Sequence, residues 1–240
     1  DFAVGLRIEH DQELINRNQY GRFFTDPLLP PADYILKYND MKSGRSVYSF
    51  CMCPGGEIIC AASEPERLVV NGMSNYLRNS GKANSAIVVT VRVKDFYSSS
   101  VLDGMEFQRK CEKMAFFAGG GNYFAPAQTT RSFLGLRDMY VCRTSYLPGV
   151  NFVQLKDCLP DFLYITLRRG LEDFCKKIKN FEKSILIGIE TRTSSPVRIL
   201  RNDNRESPNV FGLYPAGEGA GYAGGIISSS LDGMKTGEVF

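Results

Sequence analysis

The run from Gly212 to Ile226, Gly-Leu-Tyr-Pro-Ala-Gly-Glu-Gly-Ala-Gly-Tyr-Ala-Gly-Gly-Ile, gathers the residue types best suited to holding a phosphate-bearing ligand. Gly219, Gly221 and Gly224 match the spacing G-x-G-x-x-G, in which glycines let backbone N–H groups approach a pyrophosphate at a helix N-terminus. A full dinucleotide fingerprint also needs a second strand and an acidic residue about 20 positions further on to hold the ribose. The sequence ends at Phe240, so the pattern is expected to form one wall of a site. Glu218, placed at a strand-to-loop junction, offers a carboxylate to sugar or ribityl hydroxyls. The bland alternative is a turn whose glycines serve only tight strand–helix packing, but glycine is denser from Gly217 to Gly225 than packing demands.

Three further places bear chemistry. Glu190-Thr-Arg-Thr-Ser-Ser-Pro-Val197 sets four hydroxyls and one arginine after an apolar strand, which suits an anion or a carbonyl and suits an ordinary polar loop equally well. Cys51-Met-Cys53 could turn two sulfurs to one side of a strand, yet zinc sites want four ligands at other spacings, and a Cys-x-Cys disulfide would be strained. Small buried thiols are the simpler expectation there. His10, the only histidine, could pair with Glu9 as a general base, but a lone histidine at a strand end is expected at the surface or as a cap. No Ser-His-Asp or Cys-His arrangement and no metal cluster can be read from the spacing.

The elements that position these residues follow from periodicity. Residues 2–8, 47–53, 57–62, 85–91 and 184–190 are β-rich runs bounded by turn chemistry. Residues 47–62 are expected to form a hairpin about Pro54-Gly55-Gly56, with Cys51 opposite Cys60 or Ile59 according to loop length. Asp103-Gly-Met-Glu106 resembles a capping box leading into Phe107, Cys111 and Met114. A second helix carries Leu159, Leu163, Leu167, Leu171, Phe174 and Ile178 on one face, with Pro160 near its start. A third opens at Gly224-Gly225, and its small or apolar first turns suit close packing. Asn71-Gly-Met-Ser74 is turn-like, and the triplets at 98–100 and 119–121 read as loops. Strands joined by long irregular connections predict a mixed α/β (α+β) fold.

Composition sets limits. With 43% hydrophobic and 23% charged residues, the chain is that of a globular protein. A net charge of +3 argues against nucleic acid as a partner, since polyanion binders carry clustered basic faces. No apolar run reaches the roughly 18 residues of a membrane span, and no signal peptide is expected. Seven scattered cysteines suit reduced thiols and a cytoplasmic location. The opening Asp1-Phe-Ala-Val-Gly reads as a strand already under way, as in a piece excised from a longer protein.

Taken together, residues 2–10, Phe50-Cys-Met-Cys-Pro-Gly-Gly56, Asn71-Gly-Met-Ser74, Ala125-Pro-Ala-Gln128, residues 190–197 and residues 212–226 resemble the uncharacterised bacterial FAD-dependent (NAD-utilising) dehydrogenases over essentially the whole length. The resemblance implies that an N-terminal ADP-binding unit, absent here, holds half of the FAD. Residues 1–183 would then be a substrate-side domain, with its first strand assignable to the flavin domain as well, and 184–240 the C-terminal return to the FAD-binding domain. It implies cofactor contacts at Gly217, Glu218, Gly219, Gly224, Gly225 and Ile226, with a helix N-terminus that favours the negative charge of reduced flavin. Arg192 and Thr193, and more weakly Cys51 and Cys53, are the catalytic candidates. The implied activity is hydride transfer between an unknown small-molecule substrate and FAD, with NAD(P)H as a donor. The rivals are a non-catalytic nucleotide-binding module and an RNA-associated flavoprotein. The piece alone is expected to be inactive, and its uncovered apolar faces could make it a homodimer.

Overall fold

A computed structural model describes residues 1–137 and 143–239; Cys142 lies outside them. The chain divides into two compact units. One, here the sheet unit, comprises residues 4–90 and 109–191; the other, the glycine-loop unit, comprises residues 1–3, 91–108 and 192–240.

The strands are β1 (Phe2–Asp11), β2 (Lys37–Asp40), β3 (Arg45–Pro54), β4 (Gly56–Cys60), β5 (Val70–Ser74), β6 (Lys82–Val91), β7 (Ala125–Thr129), β8 (Val150–Phe152) and β9 (Ile185–Glu190). The helices are α1 (Gln12–Tyr20), α2 (Asp103–Ala118), α3 (Thr130–Phe133), α4 (Asp161–Lys177) and α5 (Ile226–Gly237). Seven strands form one sheet in the order β2-β3-β6-β1-β9-β7-β8, and β4 and β5 form a second. Strand β9 runs antiparallel to both β1 and β7, β3 antiparallel to β2 and β6, and β7 parallel to β8. This is the mixed α/β class that the sequence predicts.

Strand β1 alternates as a central strand should, except that both faces are buried. Val4, Leu6 and Ile8 supply one apolar face, while Gly5, Arg7 and Glu9 supply the other. Helix α4 buries Leu163, Leu167, Leu171 and Phe174, the stripe expected from its period. It can lie close to the sheet because residue 170 is glycine: a Cβ there would stand 2.6 Å from Cγ1 of Val47.

The expected hairpin over 47–62 does not form. Strand β3 pairs with β2 and β6, whereas β4 pairs with β5 in the other sheet. Cys53 and Pro54 lie opposite Asn84 and Ala83, so the long partner β6 captures the end of β3. Gly55, at φ 57°, donates its N–H to Oε1 of Gln12 at 2.7 Å and carries the chain from one sheet to the other. Neither expected register exists: Cys51 sits where the β3–β6 register shifts, and Cys60 faces Val70. Residues 71–74, expected as a turn, are strand instead.

Asp103 is the first residue of α2 rather than its cap. Its carboxylate accepts the N–H groups of Ser98, Ser99 and Ser100 at 2.8, 2.9 and 3.0 Å, which holds its pKa below the usual carboxylate range. Helix α5 begins where the sequence predicts, directly after Gly225. It is not packed as predicted: Ile226, Ile227, Leu231 and Met234 are exposed, and Thr236 alone among its described residues is buried. No helix among the described residues is long and apolar enough to cross a membrane.

Candidate functional site

The polar centre of the sheet unit is Arg7, whose side chain is fully buried. Its Nη1 donates to both carboxylate oxygens of Glu190 at 2.9 Å, and Nε donates to Oδ1 of Asn84 at 2.8 Å. Nη2 donates to the Cys51 carbonyl at 2.7 Å and to Cys53 Sγ at 3.3 Å. Strand β5 supplies Asn71, 3.4 Å from Nη1, and Gly72, whose missing side chain leaves room for the guanidinium. Burial pushes the Glu190 carboxyl up to about 7, with Arg7 opposing it. Such a pair in low dielectric is costly to break because either partner left alone is an unpaired buried charge. The Nδ2 of Asn84 is buried without a partner.

Two neighbours extend this polar line along β1. Glu9 accepts the backbone N–H of Ser145 at 3.0 Å and the Ser145 hydroxyl, and burial raises its pKa. His10 is not at the surface as expected, being only 1% exposed. Its Nε2 lies 3.3 Å from the Tyr34 hydroxyl, its ring packs on Phe181 at 4.5 Å, and its Nδ1 has no partner. Burial lowers its pKa to about 3, so at neutral pH it is an uncharged packing residue. Proximity to Glu9 in sequence does not make a base, since adjacent strand residues face opposite ways.

In the glycine-loop unit the organising residue is Asp232, on α5. Its carboxylate takes Nη1 and Nη2 of Arg201 at 2.9 and 2.7 Å, Nη1 of Arg205 at 2.9 Å and the N–H of Gly217 at 2.9 Å. These donors hold the acid well below the usual carboxylate range. Arg201 also donates to the Pro215 carbonyl at 2.7 Å and stacks on Tyr222, 3.6 Å from the ring centroid. The glycine loop is thereby tied at both its start and its middle to the helix that follows it.

The loop's glycines serve different needs. Gly217 (φ 70°) and Gly221 (φ 83°) occupy left-handed backbone, and a Cβ on Gly221 would strike the Val197 carbonyl. Gly219 and Gly224 need neither: among the described residues, chain neighbours apart, no atom lies within 4 Å of a Cβ built on either. Packing inside this chain therefore does not account for them. Glu218 is exposed and lies in a turn, not at a strand end as expected; partial burial raises its pKa. Gly225 donates its N–H to Ser228 Oγ at 3.1 Å, at the first turn of α5.

The catalytic candidates fall in both units. Thr193 is buried and its hydroxyl donates to the Ala3 carbonyl at 3.0 Å, while Arg192 is exposed. Thr191 donates to Glu112 at 2.7 Å, and Ser195 to the Val197 carbonyl at 2.8 Å. Most hydroxyls of the 190–197 run are thus engaged in holding the chain. Cys51 and Cys53 belong to the sheet unit, and Arg192, Thr193 and the glycine loop to the other. Arg7 was not singled out by spacing; an arginine inside an apolar strand, matched by an acid closing another, was the available signal. Asp232 gave none, since an acid on a polar helix looks like any solvated residue.

Residues 1–193 match the family described as FAD-dependent protein, C-terminal domain-like. The chain belongs to this family. It is also 55% identical to an uncharacterised protein of Clostridium beijerinckii over 242 residues, covering 99% of this chain and 45% of that protein. The chain thus spans about half the length of the curated relative it matches. The family match ends at residue 193, two residues into the C-terminal stretch 192–240 of the glycine-loop unit, and does not extend to residues 217–226. Among the described residues no group of three or more histidines, cysteines or acids could hold a metal.

Proposed function

We propose that the chain is the substrate-side and C-terminal part of an FAD-dependent oxidoreductase that passes hydride between an unidentified small-molecule substrate and the flavin. When bound, the flavin supplies two-electron acceptance and donation. In this reading residues 1–183 form the substrate side, and residues 184–240 return to the FAD-binding domain whose ADP-holding unit lies elsewhere in the parent. Gly217, Glu218, Gly219, Gly224, Gly225 and Ile226 contact the cofactor, NAD(P)H is the donor, and Arg192 and Thr193 line the region near it.

One observation supports the cofactor assignment beyond family membership: Gly219 and Gly224 are glycines that nothing inside the chain requires. Close approach of a ligand gives a reason for them, and the first-turn amides of α5, which have no intrahelical acceptor, suit its phosphates. Arg201, Asp232 and Tyr222 hold that loop in shape. The apolar face of α5, with Ile226 and Ile227 at its start, is covered by the remainder of the parent protein.

The test is the absorption spectrum of the purified full-length protein, followed anaerobically while NADH or NADPH is added. A flavin spectrum that bleaches is expected. A protein without flavin overturns the cofactor assignment, and a flavin that no donor reduces overturns the hydride-transfer assignment.

A further inference from the structure

The Cys51-Met-Cys53 segment has features that a pair of inert buried thiols lacks. Two residues along a straight strand advance about 6.6 Å, at the far edge of the separation a disulfide can bridge. Here the strand is not straight: Cys51 has φ 47°, in the left-handed region, and the β3–β6 register shifts between Phe50 and Cys53. Cys53 Sγ lies 3.4 Å from the Cys51 carbonyl oxygen, turned back towards the residue two before it. Arg7 fixes this arrangement with one nitrogen, Nη2, which donates to the Cys51 carbonyl and to Cys53 Sγ. The sulfurs differ in access: Cys51 is exposed and Cys53 is buried.

We propose that Cys51 and Cys53 form a dithiol–disulfide centre that reduces a low-molecular-weight disulfide, with Cys51 as the attacking sulfur, Cys53 as the resolving sulfur and Arg7 as the positioning residue. The Cys51 thiolate attacks a disulfide RSSR, forming the mixed disulfide Cys51–S–S–R and releasing RS⁻. The Cys53 thiolate then attacks Cys51 Sγ, closing the Cys51–Cys53 disulfide and releasing the second RS⁻. Two electrons pass from the cysteines to the substrate, and the two thiol protons end on two RSH.

The geometry orders these events. Before attack, Cys53 is kept protonated first by the hydrogen bond its thiol donates to Cys51 and then by burial. The Arg7 guanidinium, which favours the Cys53 thiolate, is the charge donating to it. Access sets the order: the exposed Cys51 meets the substrate first, and the buried Cys53 follows. This centre does not depend on the flavin reading.

The experiment exposes the anaerobic, fully reduced full-length protein to glutathione disulfide and maps the cysteines by peptide mass spectrometry. In the native protein the peptide spanning Cys51 and Cys53 should lose two hydrogen atoms, resist alkylation and recover with dithiothreitol. Reaction there should outpace that of Cys60, another exposed thiol, by more than about tenfold. Cys53→Ser should accumulate a glutathione adduct on Cys51, and Cys51→Ser should give neither product. Cys53→Ala, checked by thermal melting, replaces Cys53→Ser if the latter fails to fold. Unchanged alkylation of both sulfurs in the native protein, or no adduct on Cys51 in a folded Cys53 variant, overturns the proposal.

Discussion

The guanidinium of Arg7 fills the space that a side chain on Gly72 would occupy. A buried cation on the central strand therefore dictates the residue on a strand of the other sheet, and Glu190, Asn84, the Cys51 carbonyl and Cys53 Sγ complete its surroundings.

Gly72→Ala tests this dependence. The added methyl group would collide with Nη2 of Arg7 and Oδ1 of Asn84, neither of which can move without leaving a buried polar group unpaired. Overpacking of this kind costs about 1–3 kcal/mol, which for a chain of this size lowers Tm by roughly 2–4 °C per kcal/mol. Differential scanning calorimetry reads the shift, and a Tm equal to that of the native protein would refute the contact.

The glycine loop predicts a contrast. Gly219→Ala and Gly224→Ala should each change stability by less than about 0.5 kcal/mol, because open space surrounds both positions. Gly221→Ala should cost about 1–3 kcal/mol from its left-handed backbone and the Val197 carbonyl. In the full-length protein the first two variants should nevertheless retain less FAD. Native FAD content in both, measured by absorbance, would remove them from the cofactor contacts.

Asp232→Asn keeps the shape of the side chain and removes its charge, leaving Arg201 and Arg205 without their shared carboxylate. The loss should amount to about 1–2 kcal/mol. It should appear as faster hydrogen exchange across residues 212–225, whose Gly217 amide Asp232 accepts. Exchange unchanged in that stretch would show that the loop is held by other means.

His10 gives a pH dependence whose sign is fixed by its burial. Its folded pKa of about 3 lies below the ordinary 6.5, so above pH 6.5 the imidazole is neutral in both states. As the pH falls from 6.5 towards 3, only the unfolded chain takes up the proton, and stability drops by up to roughly 4 kcal/mol. Urea titrations at several pH values should show this slope in the native protein, and His10→Phe should be flatter over the same interval. Parallel curves for the two would mean that His10 is charged in the folded state.

Much of the scaffold could be read from periodicity. Strands β1, β3, β6 and β9 and helices α2 and α4 follow from runs whose apolar residues repeat at one period, and α5 from the glycine pair that opens it. Strand β7, Ala-Pro-Ala-Gln-Thr, has weak strand propensity and exists because β9 lies beside it. Pro54-Gly55-Gly56 has hairpin chemistry, but a local signal carries no information about β6, which pairs with the end of β3. Asn71-Gly72 likewise has turn chemistry and is strand because its side chain and its lack of one meet Arg7. The candidate site divides in the same way. Glycine spacing is visible in one dimension, whereas Arg7 and Glu190 are 183 residues apart and only the folded sheet joins them.

That separation matters while the protein is being made. Of the strands described here β1 leaves the ribosome earliest, gains β6 as a neighbour once residue 91 has been added, and must wait for β9 at 185–190 to pair its other edge. At about 5–20 residues per second, roughly 10–40 s pass between synthesis of Arg7 and of Glu190. Through that interval a nascent chain holds an open edge on its central strand and an arginine with no counter-ion, the condition in which strands pair with the wrong neighbour. The charge on Arg7 is then protective: burying it in a mismatched sheet without a carboxylate would be costly, so the early strand is kept from closing on anything but its late partner.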